Sequence, residues 1–174
     1  MKQFKRIYPK TLERSEAILT ASGASVSFNP VVAARSGNSP RITDLAAFGC
    51  RIALGTDEFT EDMVQVLRSA VLIERLRLNE SDRPRPEEAM VWGTFNGYRA
   101  LNLKGGGFLQ VGSKADLIVV STRHAHLVPA LRPVAVFVYQ GQARDVESVM
   151  VMGRRMLAHA GWQSAIDERG RSHS

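Results

Sequence analysis

The chain has 174 residues, 44% of them hydrophobic and 23% charged, a balance that buries a core and excludes intrinsic disorder. Its length suits one domain of ordinary size or two small ones. The formal charge is +6, but the basic residues do not cluster. The densest run is Lys2, Lys5, Arg6 and Lys10, aromatics do not interleave with the others, and no nucleic-acid partner is expected. No apolar run approaches the ~20 residues of a membrane span, so no membrane partner is expected either. The start, MKQFKRIYPK, lacks the apolar segment of a secretion signal. The one cysteine, Cys50, can form no intramolecular disulfide, and a reducing cytoplasm is the expected location.

In chain order, residues 12–22 suit a helix ended by Gly23, and ASVSF (24–28) alternates as a strand does. Ser39-Pro40 reads as an N-cap followed by an N1 proline, opening a helix over RITDLAAF that stops at Gly49. RIAL (51–54) is the next strand. A longer helix starts near Thr60 or Glu61 and carries Met63, Val64, Leu67, Ala70, Val71 and Glu74 at helical spacing as far as about Leu76. Short connections in an α-β-α-β-α order point to parallel βα units. A polar break, NESDRPRP, precedes a further helix over PEEAMVWGTFNGYRALNL, opened by Pro86 with two acids in its first turn. Beyond Gly105 the short runs FLQV, ADLIVV, VAVFVY and VESVMVMG read as β-type, and RGRSHS as a frayed end. The fold class expected from this order is α/β, with a mostly β second half.

Three motifs invite a chemical reading. His124-Ala125-His126 has the spacing of a metal pair. Further ligands are wanting, since His159 and His173 fall in a hairpin region and the tail, and no Asp or Glu stands at a helical spacing; a surface loop is the expected setting. GFLQVGSK resembles a phosphate loop, but its order is Gly-Ser-Lys where the loop needs Gly-Lys-Ser/Thr. Cys50 has no histidine near it to activate a thiolate and reads as a small buried hydrophobe. Asp57, in RIALGTDEFTEDM, is different. A carboxylate at the C-terminal end of a buried strand is costly unless it caps, pairs or does chemistry. Local sequence leaves an Asx-turn or capping role and a catalytic one both open.

Four stretches in order then carry a resemblance: SFNP (27–30); ITDLAAFGCRIALGTDEFTEDM (42–63); TFNGYRALNL with GGGFLQVGSKADLIVV (94–120); and DVESVMVMGRRML (145–157). Together they resemble the C-terminal part of the metal-dependent amidohydrolase superfamily, in the branch of the cytosine, guanine and S-adenosylhomocysteine deaminases and the chlorohydrolase-like enzymes. The resemblance implies the C-terminal portion of a (β/α)8 barrel plus part of a small β-sandwich. Residues 1–104 are expected to hold the last βα units, 105–160 a sandwich segment, and 161–174 a tail. It also implies a hydrolase of non-peptide carbon–nitrogen bonds, a small amino-heterocycle substrate, and a divalent metal, zinc or iron. In such enzymes the Asp that ends the eighth strand binds the metal or sits beside it and exchanges protons with the attacking water. Asp57 matches that position.

Family members also supply a His-x-His from the first strand and histidines from the fifth and sixth, whereas this chain starts before what resembles the seventh strand and has no histidine between Phe4 and Glu16. Ser-Asn, frequent after Asn-Pro in relatives, is replaced by Val31-Val32, and Glu58 stands where a small residue is frequent. The expectation is a C-terminal fragment that is inactive alone and holds no metal by itself. It would take up metal through Asp57 once the rest of the barrel is supplied by a separate N-terminal half, or associate with copies of itself. The alternative is a non-catalytic remnant kept as a binding or assembly module.

Overall fold

Two short strands, β1 (Ser25–Phe28) and β2 (Arg51–Leu54), pair in parallel, Ser25 opposite Arg51 and Phe28 opposite Leu54. The computed structural model that shows this describes residues 17–38, 40–158 and 161–162. Ser39, residues 12–16 of the first expected helix, His159, and residues 163–174 of the expected tail, His173 among them, lie outside the described residues. Residues 17–21 are helical and give way to Gly23 at φ 68°, the left-handed conformation that a helix end favours in glycine.

Helix α1 (Pro30–Arg35) follows β1 directly, with Pro30 as its first residue, and α2 (Ile42–Ala47) leads into β2. The sequence reading did not foresee α1. Helix α3 (Met63–Leu78) is the long amphipathic element expected, displaced by two residues: Asp62 caps it, accepting hydrogen bonds from the Val64 and Gln65 backbone N–H groups. It ends at Asn79, left-handed at φ 56°. Buried Val64, Leu67, Ala70, Val71 and Glu74 recur at three- and four-residue intervals and make one face. The helix expected over PEEAMVWGTFNGYRALNL is broken in two, α4 (Pro86–Gly93) and α5 (Phe95–Ala100). Thr94, at φ −117° and ψ −89°, makes the corner, its hydroxyl donating to the Met90 carbonyl. Beyond the corner the Asn96 side chain donates to the Ile52 carbonyl, which ties α5 to β2.

The second half corrects two expectations. FLQV is not a strand, and VAVFVY is helical, within α6 (Pro133–Gln140). β-branched residues favour strands only weakly against tertiary packing. Here Pro133 pre-sets the first turn, Ala135 and Val138 are buried three residues apart, and Val138 packs with Leu67, Val71 and Ala89. The Arg68 guanidinium donates to the Val138 and Gly141 carbonyls, covering the exposed end of the helix. The other late runs do form strands: β3 (Leu117–Val120), β4 (Val146–Val151), β5 (Arg154–Ala158) and β6 (Gly161–Trp162) build a four-stranded antiparallel sheet in that order. Among the described residues no helix is long and apolar enough to cross a membrane.

The core is made where the helices cover the parallel pair. Phe28, Ile42, Cys50, Ile52, Ala70 and Trp92 pack together, so Cys50 has the buried role its sequence context suggested. A charged network runs through this layer. Glu74 is fully buried, accepts the Thr43 backbone N–H at 2.7 Å, and pairs with Arg77 at 2.9 Å. Arg77 also reaches Asp44 at 3.2 Å, and Asp44 pairs with Arg41 at 2.7 Å. The network therefore staples the start of α2 to the end of α3.

Removing one partner of a buried ion pair strands the other. Glu74→Ala should cost about 3–5 kcal/mol, with Glu74→Gln losing clearly less because the amide oxygen still accepts from Thr43; urea midpoints of the two variants test this. Partial burial pushes the Asp44 carboxyl up, but the Arg41 hydrogen bond and the Arg77 charge outweigh it and hold it below the usual 3.8. A depressed carboxyl adds stability above its unfolded value and loses it as pH falls through the folded one. Asp44→Asn should therefore lower stability in the neutral region, where the ionised carboxylate contributes, and cost progressively less below about pH 4, which flattens the acid limb of a pH–stability curve.

Candidate functional site

Parallel pairing brings the C-terminal ends of β1 and β2 to one edge, and the next residues of both strands meet there. The Gly55 N–H donates to the Phe28 carbonyl at 3.0 Å, extending the ladder by one bond. Asn29, just past β1, donates from Nδ2 to Asp57 Oδ2 at 3.2 Å, and the Ser27 hydroxyl donates to Asn29 Oδ1 at 3.3 Å. Asp57 Oδ1 accepts the Glu58 backbone N–H at 3.0 Å. Asp57 is exposed and left-handed, at φ 55°, a conformation that Asp tolerates better than most residues. Asp57 thus lies in the loop beyond the C-terminal end of its strand, where the sequence reading expected it. Capping of the following helix falls to Asp62 instead.

The loop that carries Asp57 begins at Gly55 for a steric reason. A Cβ there would lie 2.3 Å from Asn29 Oδ1 and 3.2 Å from Ser27 Oγ. Only a residue without a side chain lets Asn29 reach under the loop to the carboxylate. Across the same loop the Arg35 guanidinium stacks over the Phe59 ring at 4.0 Å.

A second constellation was not foreseen. His124 and His126 do have a carboxylate partner, Asp145, twenty-one and nineteen residues further on respectively. His124 Nδ1 lies 2.7 Å from Asp145 Oδ1, and His126 Nε2 lies 2.8 Å from Oδ2. The two rings are stacked, with centroids 5.6 Å apart. Asp145 is fully buried, at 0% exposure, and its Oδ2 also accepts the Gln142 N–H at 2.8 Å. Burial pushes its carboxyl up, but the hydrogen bonds from His126, the Gln142 backbone and His124 outweigh it and hold it below the usual 3.8. The expectation of a bare surface loop is corrected to this extent: His124 precedes and His126 lies within a 3-10 turn, Ala125–Leu127, and both are clamped to Asp145, the residue just before β4. A search confined to local spacing missed the acid because the sheet, not a helix, brings it close.

The sequence profile of the amidohydrolase family matches residues 11–156, and the chain belongs to that family. Over 128 residues it is 37% identical to a 5-methylthioadenosine/S-adenosylhomocysteine deaminase of Moorella thermoacetica, covering 71% of this chain and 30% of that protein. Over 146 residues it is 31% identical to a 5'-deoxyadenosine deaminase of Methanothermobacter thermautotrophicus, covering 80% of this chain and 34% of that one. The fold matches the crystal structure of an adenosine deaminase from Xanthomonas campestris with bound zinc, with a TM-score of 0.82 at 21% identity, over 90% of this chain and 37% of that one. The chain therefore spans about a third of the length of the relatives it matches.

Family members are generally metal-dependent. A catalytic zinc takes about three protein ligands, and Asp57 offers a single carboxylate. No histidine precedes His124 in the sequence, so the residues around Asp57 do not fit such an ion by themselves.

The Gly55 constraint has a direct test. Gly55→Ala should push the Asn29 side chain away and release Asp57. The Asn29 side-chain amide protons should then exchange faster with solvent, matching their behaviour in Asp57→Ala; unaltered exchange would remove the role assigned to Gly55.

Proposed function

We propose that this chain is the C-terminal part of a metal-dependent hydrolase of non-peptide carbon–nitrogen bonds, a deaminase in type. In this reading residues 1–104 contribute the last βα units of a (β/α)8 barrel, residues 105–160 a segment of the accompanying β-sandwich, and residues 161–174 a tail. The observation that carries the reading is the position of Asp57: an exposed carboxylate at the C-terminal mouth of a parallel strand pair, oriented by Asn29, in a chain of this family. That mouth is where α/β barrels assemble their chemistry from several strands.

Asp57 is the proton-transfer group of the assembled site. Its carboxylate takes a proton from the attacking water and hands it to the departing amine. Asn29 is a positioning residue: its amide fixes one oxygen, and the Glu58 N–H fixes the other. The divalent ion of the family, zinc or iron, would draw its imidazole ligands from polypeptide beyond these residues. The substrate class is a small amino-heterocycle, in keeping with relatives described as adenosine-type deaminases.

Several surfaces support a larger assembly. Among the described residues the parallel sheet has two strands, far short of a closed barrel of ~250 residues. Leu72, Leu76 and Val91, on helices of the same half, are 50%, 85% and 46% exposed. Apolar residues and open strand edges of this kind call for cover, either by a separate N-terminal half or by another copy of the chain.

The test is a chimera in which residues 24–157 replace the matching segment of the Moorella thermoacetica relative. A folded, zinc-loaded chimera should release ammonia from 5-methylthioadenosine. Asp57→Asn in it should lower kcat by about 100-fold or more while zinc content and folding stay the same, because the amide cannot accept the proton. Turnover that survives Asp57→Asn would overturn the assignment of Asp57. A folded, metal-loaded chimera with no turnover would favour the remnant or assembly module instead.

A further inference from the structure

We propose that His124, His126 and Asp145 form a binding site for one divalent transition-metal ion of the zinc class. The site uses none of the residues around Asp57, and the inference does not rest on the function proposed above.

Convergence of the ligands is the first argument. One ring nitrogen of His124, one of His126 and a carboxylate oxygen of Asp145 all lie within 4.8 Å of one another. Two imidazole nitrogens and one carboxylate oxygen are a donor set that zinc, nickel, cobalt and copper accept. A tetrahedral zinc sets neighbouring nitrogens about 3.4 Å apart, so the rings must close by somewhat more than an ångström at most. They have the freedom to do so, as the side chains of His124 and His126 are 48% and 28% exposed.

Rigidity of the anchor is the second. Asp145 is wholly buried, and it is fixed from both its side chain and its backbone: Oδ2 accepts the Gln142 N–H, and its carbonyl accepts the Ser121 N–H at 2.8 Å. Ser121 follows β3 and Val146 opens β4, with Val120 opposite Val146 in the antiparallel ladder. On the histidine side Leu127, 3% exposed, pins the 3-10 turn into the interior. The three ligands are therefore held by one sheet end and two buried side chains.

Access is the third. A pocket of about 420 Å³, lined by His124, Ala125, His126 and Arg144, opens onto the two imidazoles. Three protein ligands with one side open leave a position for water, the arrangement of zinc sites that are not closed structural cages. Without metal, each ring holds a hydrogen bond to one oxygen of Asp145. The ion takes the place of the protons in those bonds, each neutral imidazole binding it through the nitrogen that faces Asp145 and carrying its one proton on the other ring nitrogen.

The experiment uses the full chain, stripped with EDTA and titrated calorimetrically with zinc chloride alone. One equivalent should bind with a dissociation constant in the micromolar range or below, and the melting temperature should rise. His124→Gln, at a half-exposed position where the amide can still donate to Asp145, should weaken binding about tenfold or more, since loss of even an outer partner of a metal ligand costs about 10–100-fold. His126→Gln should do the same, and Asp57→Asn should leave the affinity unchanged. Absence of saturable zinc binding below about 1 mM would overturn the proposal. So would binding that survives the double variant His124→Gln, His126→Gln, or binding that Asp57→Asn abolishes.

Discussion

The parallel register of two four-residue strands governs this half of the molecule. With Ser25 opposite Arg51 and Phe28 opposite Leu54, the strands end level, and the residues that follow them must share one edge. Asn29 and Asp57 meet for that reason and no other, across twenty-eight residues of sequence. A slip of one residue would turn Ile52 and Phe28 outward and separate the two side chains together. The buried cluster of Phe28, Ile42, Cys50, Ile52, Ala70 and Trp92 opposes such a slip, so the packing of the core and the geometry of the candidate site are one constraint.

Two carboxylates are buried among the described residues, and each is reconciled with burial differently. Glu74 sits on an apolar helix face, beside a guanidinium and a backbone N–H that satisfy it fully, and it joins two helices. With both carboxylate oxygens held in the interior, its role is cohesion. Asp145 is as deeply buried, yet its partners are imidazoles that reach solvent on their far sides. A buried anion met by titratable, partly exposed, metal-competent groups has chemical options that an anion met by arginine lacks, because arginine keeps its proton and coordinates nothing.

Much of the first half was legible in the sequence. The period of Val64, Leu67, Ala70, Val71 and Glu74 announces α3, and the strand–Gly-Thr-Asp–helix order puts Asp57 at a strand mouth. What was illegible has identifiable causes. VAVFVY alternates like a strand, but the decisive terms are an N1 proline and contacts with Leu67, Val71 and Ala89, which lie far off in sequence. The break at Thr94 follows a glycine inside an otherwise helical run, and tertiary bonds such as Asn96 to Ile52 fix its direction. Asp145 as the partner of the two histidines depends on strand pairing, and no local spacing rule reaches across such a connection.

The two candidate sites differ in legibility for the same reason that they differ in completeness. A site at the mouth of a parallel sheet gathers one or two side chains from each of several strands, because successive parallel strands need long crossovers. Two strands of such a sheet can therefore contribute only a portion: here a carboxylate, its asparagine and the loop that holds them. An antiparallel pair obeys no such restriction. Its ends can be joined or tied close by, so the loop after β3 and the turn before β4 deliver three ligands to one point within a span of twenty-two residues, His124 to Asp145. Family membership bears on the first site, for which a role for Asp57 is proposed. The second is built wholly from this chain's own strand pairing, so its chemistry follows from local geometry alone.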